Sequence, residues 1–136
     1  GIPRADGLRV GADRFGRVAC LDRSFQERYL SSMISQLEKL LGTPRDGALL
    51  RYSLGLEYAK TGDHGRAAQY LRDAVERDPL YSAAWKMLGK SLTETGQPEQ
   101  ALAAFRQGIE AAQKKGDRQA EKEMTVFARR LEKLGK

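Results

Sequence analysis

Two side chains in this sequence, Cys20 and His64, are of types that act as nucleophiles, proton carriers or metal ligands. The chain contains one cysteine and one histidine, so neither an internal disulfide nor a cluster of histidine ligands can form. A reactive thiol needs a base or a positive charge beside it, and the sequence assigns neither to Cys20. Glycine-rich phosphate loops, Cys-x-x-Cys pairs and nucleophile elbows are also missing. We therefore expect no catalytic residue, no cofactor and no bound metal.

His64 has a structural interpretation. It lies between Asp63 and Gly65, in a predicted turn between two helices. Aspartate commonly caps the helix that follows it, which accounts for Asp63 without any chemistry. We interpret His64 as a structural or solvent-exposed turn residue.

The chain is basic, with 24 Lys and Arg against 18 Asp and Glu and a net charge of +6. Such a balance suits acidic partners, nucleic acid among them. The positive residues form no dense block, however, and no aromatic residues alternate with them as in RNA-binding modules. A nucleic-acid-associated protein is kept as an alternative that the pattern does not favour.

The composition also bears on where the protein works. Hydrophobic residues make up 40% of the chain, enough to bury a core without disulfides. The apolar stretches fall far short of the roughly 20 residues that cross a bilayer, and no secretory signal is recognisable. A single cysteine gives no argument for an oxidising compartment. We expect a cytoplasmic protein with no membrane partner.

An internal repeat organises the middle of the chain. Shifting the sequence by 34 residues against itself brings similar residues together at helix-like intervals. The aligned pairs are Leu54 with Leu88, Gly55 with Gly89, Gly62 with Gly96, Ala67 with Ala101, and Leu71 with Phe105. This order resembles the tetratricopeptide repeat of small bacterial proteins, a helix-turn-helix unit. The resemblance implies an all-α, right-handed helical solenoid of about six helices, with repeat 1 at 48–81 and repeat 2 at 82–115.

The spacing of the glycines has a physical reason. Gly55 and Gly89 would each cost about 0.5 to 1 kcal/mol inside a helix, unless a second helix packs closely against them. Gly62 and Gly96 lie where the first helix of each repeat must end, as left-handed residues do. Trp85 shares a stripe with the Leu-Gly pair of its repeat, so we expect it in the core.

Repeat 1 departs from the family pattern at one position. Arg51 stands where a large apolar residue is usual, so the stem of Arg51 or the neighbouring Tyr52 must fill that space.

The flanking segments are predicted to form helices that cap the two ends of the repeat pair. An apolar stripe from Phe25 to Leu41, with capping-box spacing at Ser24, predicts a half-repeat helix at 24–41. Asp117 can cap an amphipathic end helix at 117–134. Residues 1–23 lack periodicity, and we expect an irregular arm. The pattern leaves open whether residues 1–32 are native or an added leader.

The resemblance also implies a binding surface. In this family, one face of the first helix of each repeat lines a concave groove that holds a partner peptide. The groove positions are Leu49, Tyr52, Leu56, Ala59, Lys60, Ala83, Lys86, Lys90, Thr93 and Glu94. They imply a non-catalytic interaction module or adaptor for a protein or peptide with apolar and acidic features. The alternatives are that Tyr52 and Leu56 pack under the 24–41 helix beside solvated lysines, or that the chain self-associates through that helix.

One family function is not implied. Co-chaperones that grip the carboxylate tail of large heat-shock chaperones carry Lys and Asn at defined groove positions. Tyr52, Leu56 and Met87 occupy those positions here. We therefore do not expect this chain to bind that tail through the same clamp.

Overall fold

The computed structural model describes residues 23–134, with the side chain of Arg23 left aside. Within that range the chain forms six α-helices and no strand, as the sequence predicts. The helices are α1 (Arg23–Glu38), α2 (Ala48–Lys60), α3 (His64–Arg77), α4 (Ser82–Glu94), α5 (Pro98–Lys115) and α6 (Arg118–Leu134). The irregular arm expected before α1, and Cys20 within it, lie outside the described residues. None of the described helices is long and apolar enough to span a bilayer.

The chain divides into two compact units, Gly1–Met33 and Ile34–Lys136. In the first unit the structure describes residues 23–33, the beginning of α1. Ser24 lies inside α1 and is not its N-cap, and its hydroxyl accepts a hydrogen bond from the Arg28 guanidinium at 3.2 Å.

The second unit is built from helices that contact one another in chain order. Turns of three residues join the two helices of each repeat, so the partners must run antiparallel. In addition, α4 contacts α2 on one side and α6 on the other. These contacts place α2, α4 and α6 next to one another in one layer.

The glycines of the repeat allow the close helix packing that the sequence predicts. A Cβ atom on Gly55 would lie 2.6 Å from Leu71 Cγ, and one on Gly89 would lie 2.5 Å from Phe105 Cε1. Gly62 and Gly96 have φ angles of +88° and +78°, the left-handed conformation that ends α2 and α4.

Trp85 lies at the edge of the core, and not inside it where the sequence pattern predicts it to be. Its side chain is only partly buried, at the edge of the core, and its indole N–H donates to the Pro79 carbonyl at 2.8 Å. The Phe105 ring, 1% exposed, occupies the space beside Gly89, whereas Trp85 packs against Gly108 of α5, where an added Cβ would lie 2.6 Å from Trp85 Cβ.

Arg51 compensates for its unusual position through ion pairs. Its guanidinium binds Asp46 and Asp73, both at 2.9 Å, and lies 6.0 Å from the ring centroid of Tyr70. The Arg51 hydrogen bond, helped by the backbone N–H of Gly42, holds the pKa of the Asp46 carboxyl well below its usual range. The space left by a large apolar residue is therefore occupied by a polar network that ties α2 to α3 and to the preceding loop.

The end of α1 differs from its predicted boundary. The helix ends at Glu38, and short-range bonds such as Leu40 N–H to the Leu37 carbonyl turn the chain before Leu41. Glu38 accepts hydrogen bonds from the hydroxyls of Tyr58 at 2.6 Å and Tyr70 at 3.2 Å. The carboxylate of this turn is thereby fixed to α2 and α3.

Asp117 caps α6 as its position predicts. One carboxylate oxygen accepts from the Ala120 backbone N–H and the other from the Ser82 hydroxyl, both at 3.1 Å. These hydrogen bonds lower the pKa of Asp117, the Ala120 bond most. The second bond joins the start of α6 to the start of α4.

Candidate peptide-binding face

The layer formed by α2, α4 and α6 brings together aromatic and charged side chains from separate parts of the sequence. We call this surface the α2–α4–α6 face. Its members are Leu49, Tyr52, Tyr81, Lys86, Lys90, Glu123, Phe127 and Arg130. Three of the sequence-predicted groove residues, Tyr52, Lys86 and Lys90, make cross-helix contacts within it.

The aromatic end of the face lies at the start of α2 and α4. The rings of Tyr52 and Tyr81 are 4.9 Å apart between centroids and inclined by 38°. Leu49, one turn earlier on α2, is 69% exposed, whereas Leu56 is half-buried. An exposed leucine beside a pair of tyrosines offers an apolar contact surface with two hydroxyl groups at its edge.

Lys86 is held by an acidic partner and is not one of the solvated lysines of the alternative interpretation. Its ammonium group lies 2.8 Å from a carboxylate oxygen of Glu123, and the side chain is 27% exposed. The Lys86 hydrogen bond is the main cause that lowers the pKa of Glu123, with a smaller contribution from Gln119. The pair links α4 to α6, so Lys86 orders the face and is not a free cation.

Lys90 lies against an aromatic ring one turn further along α4. Its ammonium nitrogen is 5.5 Å from the ring centroid of Phe127, and the Arg130 guanidinium is 5.9 Å from the same centroid. Both cations are exposed, and neither forms an ion pair with another residue of the described part of the chain. A carboxylate brought to this point meets two positive charges beside an apolar ring.

The remaining predicted groove residues are engaged locally. Lys60 is exposed and pairs with Glu57 on its own helix at 3.3 Å. The Thr93 hydroxyl donates to the Gly89 carbonyl at 2.8 Å. Ala59 is partly buried against the core. The polar contacts of Lys60 and Thr93 therefore stay within their own helices.

The sequence reasoning missed Glu123, Phe127 and Arg130. The sequence places Phe127 on the apolar stripe of the end helix and Glu123 and Arg130 on its polar surface, and it assigns none of them a partner on α4. The observed α5 has 18 residues where α3 has 14, so α6 begins later than the repeat period would place it. Phe127 lies on the same stripe as Met124 and Leu131, and its half-buried ring stacks on Phe105 with 5.4 Å between centroids. Its contacts with the cations of Lys90 and Arg130 come from tertiary packing, which the local sequence pattern does not indicate.

The arrangement suits binding. Within residues 23–134 no group of three or more His, Cys, Asp and Glu side chains is placed to hold a metal ion. His64 begins α3 behind its cap Asp63, whose carboxylate accepts from the Arg66 backbone N–H at 3.2 Å. The face instead offers cations, aromatic rings and an exposed leucine, the groups that recognise an extended peptide.

Comparison with known proteins gives one consistent result. The tetratricopeptide repeat family matches residues 52–116. A tetratricopeptide repeat-containing protein of Pseudomonas aeruginosa is 50% identical over 101 residues, which cover 74% of this chain and 96% of that protein. The solution structure of a Bordetella parapertussis protein has a TM-score of 0.64 and 43% identity, covering 74% of this chain and 87% of the other. The tetratricopeptide domain of Sgt2 from Aspergillus fumigatus has a TM-score of 0.66 and 25% identity, covering 79% and 70%. The chain belongs to the tetratricopeptide repeat family.

Proposed function

We propose that this chain is a non-catalytic adaptor that binds a partner peptide on its α2–α4–α6 face, the concave groove of the family. Tetratricopeptide repeat domains in general are protein-interaction modules, which supports the class of function. The peptide carries an acidic group for the α4–α6 end and an apolar side chain for the α2 end. The low cysteine content favours a cytoplasmic setting for this interaction.

The observation that carries the proposal is the placement of Lys90 and Arg130 around Phe127. Both cations are exposed, lie within 6.0 Å of the centroid of one ring and form no ion pair within residues 23–134, so together they attract an anion. A partner carboxylate can pair with them while its methylene groups contact the ring. The gain is specific to an acidic side chain or a C-terminal carboxylate, because an ammonium or guanidinium group would add a third positive charge.

The Lys86–Glu123 pair supports a preformed site. It fixes the relative position of α4 and α6 before a partner arrives, so less conformational entropy is lost on binding. Lys86 acts in this account as a positioning residue.

Affinity capture with matched baits tests the proposal. The purified chain, its Lys90→Glu variant and a Lys39→Glu control are used to retain proteins from the source cell, and retained proteins are quantified by mass spectrometry. Lys39 is exposed and lies in the turn after α1, so it gives the same charge change away from the face. We expect a partner that the wild type and the control retain and that Lys90→Glu loses.

The matched baits also define the contradicting result. If Lys90→Glu is folded by circular dichroism and retains every partner as well as the control does, the α2–α4–α6 face is not the binding site. Repeating the capture with Arg130→Glu guards against an effect confined to α4. The same partner must be lost in both variants.

A further inference from the structure

Helix α6 has a second exposed surface that the proposed function does not use. Its buried side is formed by Ala120, Met124, Ala128 and Leu131, and its contribution to the α2–α4–α6 face by Glu123 and Phe127. Away from both lies a stripe that we call the outer face, formed by Arg118, Lys122, Thr125, Val126 and Arg129. Their spacing of four and seven residues places them along one side of the helix.

The outer face carries positive charge that its own helix does not neutralise. Arg118, Lys122 and Arg129 are exposed and form no ion pair with any other residue between 23 and 134. Two acids of α6 are engaged elsewhere: Glu123 with Lys86 at 2.8 Å, and Glu132 with Arg106 at 2.9 Å.

Glu121 is the remaining acid of α6. It accepts a hydrogen bond from the Gln113 amide at 2.9 Å. One engaged acid beside three unpaired cations leaves the surface net positive.

An open groove runs along this stripe. It has a volume of about 820 Å³ and lies between α6 and the end of α5, where Gln113 and Gly116 form its other wall. Thr125 and Val126 lie in the middle of the groove, and Val126 is 48% exposed. The stretch from Arg118 to Arg129 is roughly 16 Å long at the helical rise, which is about three turns of a second helix laid beside it.

The chemistry of the groove selects its occupant. Helices that pack inside this fold meet small and apolar residues, as α4 meets Ala101, Phe105 and Gly108 of α5. The outer face has one exposed apolar residue, Val126, among its cations, so an apolar helix placed there would bury unpaired charge. A helix with acids at four- and seven-residue spacing matches Arg118, Lys122 and Arg129 and leaves one apolar side chain for Val126.

We propose that the outer face of α6 is a second docking surface, which binds an acidic, three-turn helical segment of a partner protein. The acids of the segment pair with Arg118, Lys122 and Arg129, and one apolar residue packs on Val126. This site is separate from the α2–α4–α6 face and does not depend on it.

Fluorescence anisotropy with two synthetic helices tests the site on the full chain. Each probe has about 18 residues and the same stripe of Leu and Ala, with Gln elsewhere except at three positions of four- and seven-residue spacing. Those three positions hold Glu in one probe and Lys in the other, so that both stay helical. We expect the Glu probe to bind, with an affinity that falls as salt is added, and the Lys probe not to bind. The double variant Lys122→Glu with Arg129→Glu should weaken the Glu probe about tenfold or more, because two attractions become repulsions.

Matched variants distinguish binding at the outer face from an effect of net charge and from binding at the α2–α4–α6 face. Lys39→Glu with Arg45→Glu changes the net charge equally, on exposed residues before α2, a helix that makes no contact with α6 among the described helices. This control should stay within about twofold of the wild-type affinity. Val126→Ser should weaken binding by less than the charge reversal.

Three results would overturn the proposal. The first is a Glu probe that does not bind the wild type. The second is a Lys39→Glu, Arg45→Glu control whose affinity for the Glu probe falls as much as that of the Lys122→Glu, Arg129→Glu variant. The third is an oligo-dT strand that binds the wild type more tightly than the Glu probe does and no longer binds the Lys122→Glu, Arg129→Glu variant. That result would make the outer face a nucleic-acid site. Loss of probe binding in Lys90→Glu alone would assign the probe to the α2–α4–α6 face instead.

Discussion

Replacing Gly89 with alanine tests the close approach of α4 and α5 at the centre of the core. A new Cβ atom would lie 2.5, 2.6 and 2.7 Å from three ring atoms of Phe105. Ordinary carbon contacts lie near 3.5 to 4.0 Å, so the ring or the helix must move by about 1 Å. The ring has little freedom, because it is 1% exposed and stacks on Phe127 with 5.4 Å between centroids.

The expected magnitude is the difference between two opposing effects. In a helix interior, alanine is more stable than glycine by about 0.5 to 1 kcal/mol. Overpacking a filled core costs about 1 to 3 kcal/mol, and the rigid ring beside Gly89 favours the upper part of that range. Gly89→Ala should therefore lower the free energy of unfolding by about 1 to 2 kcal/mol, a fall in Tm of roughly 3 to 12 °C.

Urea unfolding followed by circular dichroism measures the change against a control of opposite sign. Gly65 lies in the first turn of α3, and a methyl carbon added to it would have Asp63 Oδ1 as its nearest neighbour, at an ordinary 3.8 Å. Gly65→Ala should raise the free energy of unfolding by up to about 1 kcal/mol. The packing argument would be refuted if Gly89→Ala raised the free energy of unfolding, as Gly65→Ala is expected to do.

A second substitution tests the contact itself. Phe105→Leu should lower the free energy of unfolding by less in the Gly89→Ala variant than in the wild type, because the shorter side chain makes room for the new Cβ atom.

Three further changes probe the contacts around the core. Tyr58→Phe should lower the free energy of unfolding by about 1.5 to 3 kcal/mol in urea titrations, because the Tyr58 hydroxyl donates at 2.6 Å to the Glu38 carboxylate. An unchanged free energy would show that this hydrogen bond does not stabilise the fold. Asp46→Asn should destabilise the fold at neutral pH, and the difference from wild type should shrink as pH falls below about 4. The sign follows from the lowered pKa of Asp46. On acidification the unfolded state takes up the proton first, so the contribution of the Arg51 pair to the free energy of unfolding falls while the wild type loses stability. Trp85→Ala should cost less than the about 3 to 5 kcal/mol of a fully buried aromatic residue, since its side chain is partly exposed, and a larger loss by the same titration would contradict that placement.

Much of the helix pairing follows from the sequence because it depends on local, repeated constraints. Gly62 and Gly96 end their helices in the left-handed conformation wherever the repeat period places them. Gly55 and Gly89 tolerate a close neighbour only because they lack a Cβ, and that neighbour is the residue at the matching position of the next helix, Leu71 or Phe105.

The rest depends on contacts between residues far apart in sequence. The 34-residue period does not extend to α6, because the start of α6 lies more than 34 residues after the start of α4, and a repeat alignment therefore does not pair Glu123 with Lys86. Lys86 looks like a solvated lysine until α6 supplies Glu123. Arg51 likewise finds its partners in Asp46, on the preceding loop, and Asp73, on the following helix. Side-chain pairing of this kind is set by the three-dimensional position of the helices, which residue types and local periodicity do not specify.

The most direct test of the central claim is to map where a captured partner peptide contacts the folded chain. Backbone amide chemical shifts of the ¹⁵N-labelled protein are recorded during titration with that peptide. We expect the largest chemical-shift changes on the α2–α4–α6 face, around Tyr52, Lys90 and Phe127. These chemical-shift changes should disappear in Lys90→Glu at the same peptide concentration. Changes confined to the exposed sides of α3 and α5, with the three residues unmoved, would contradict the central claim.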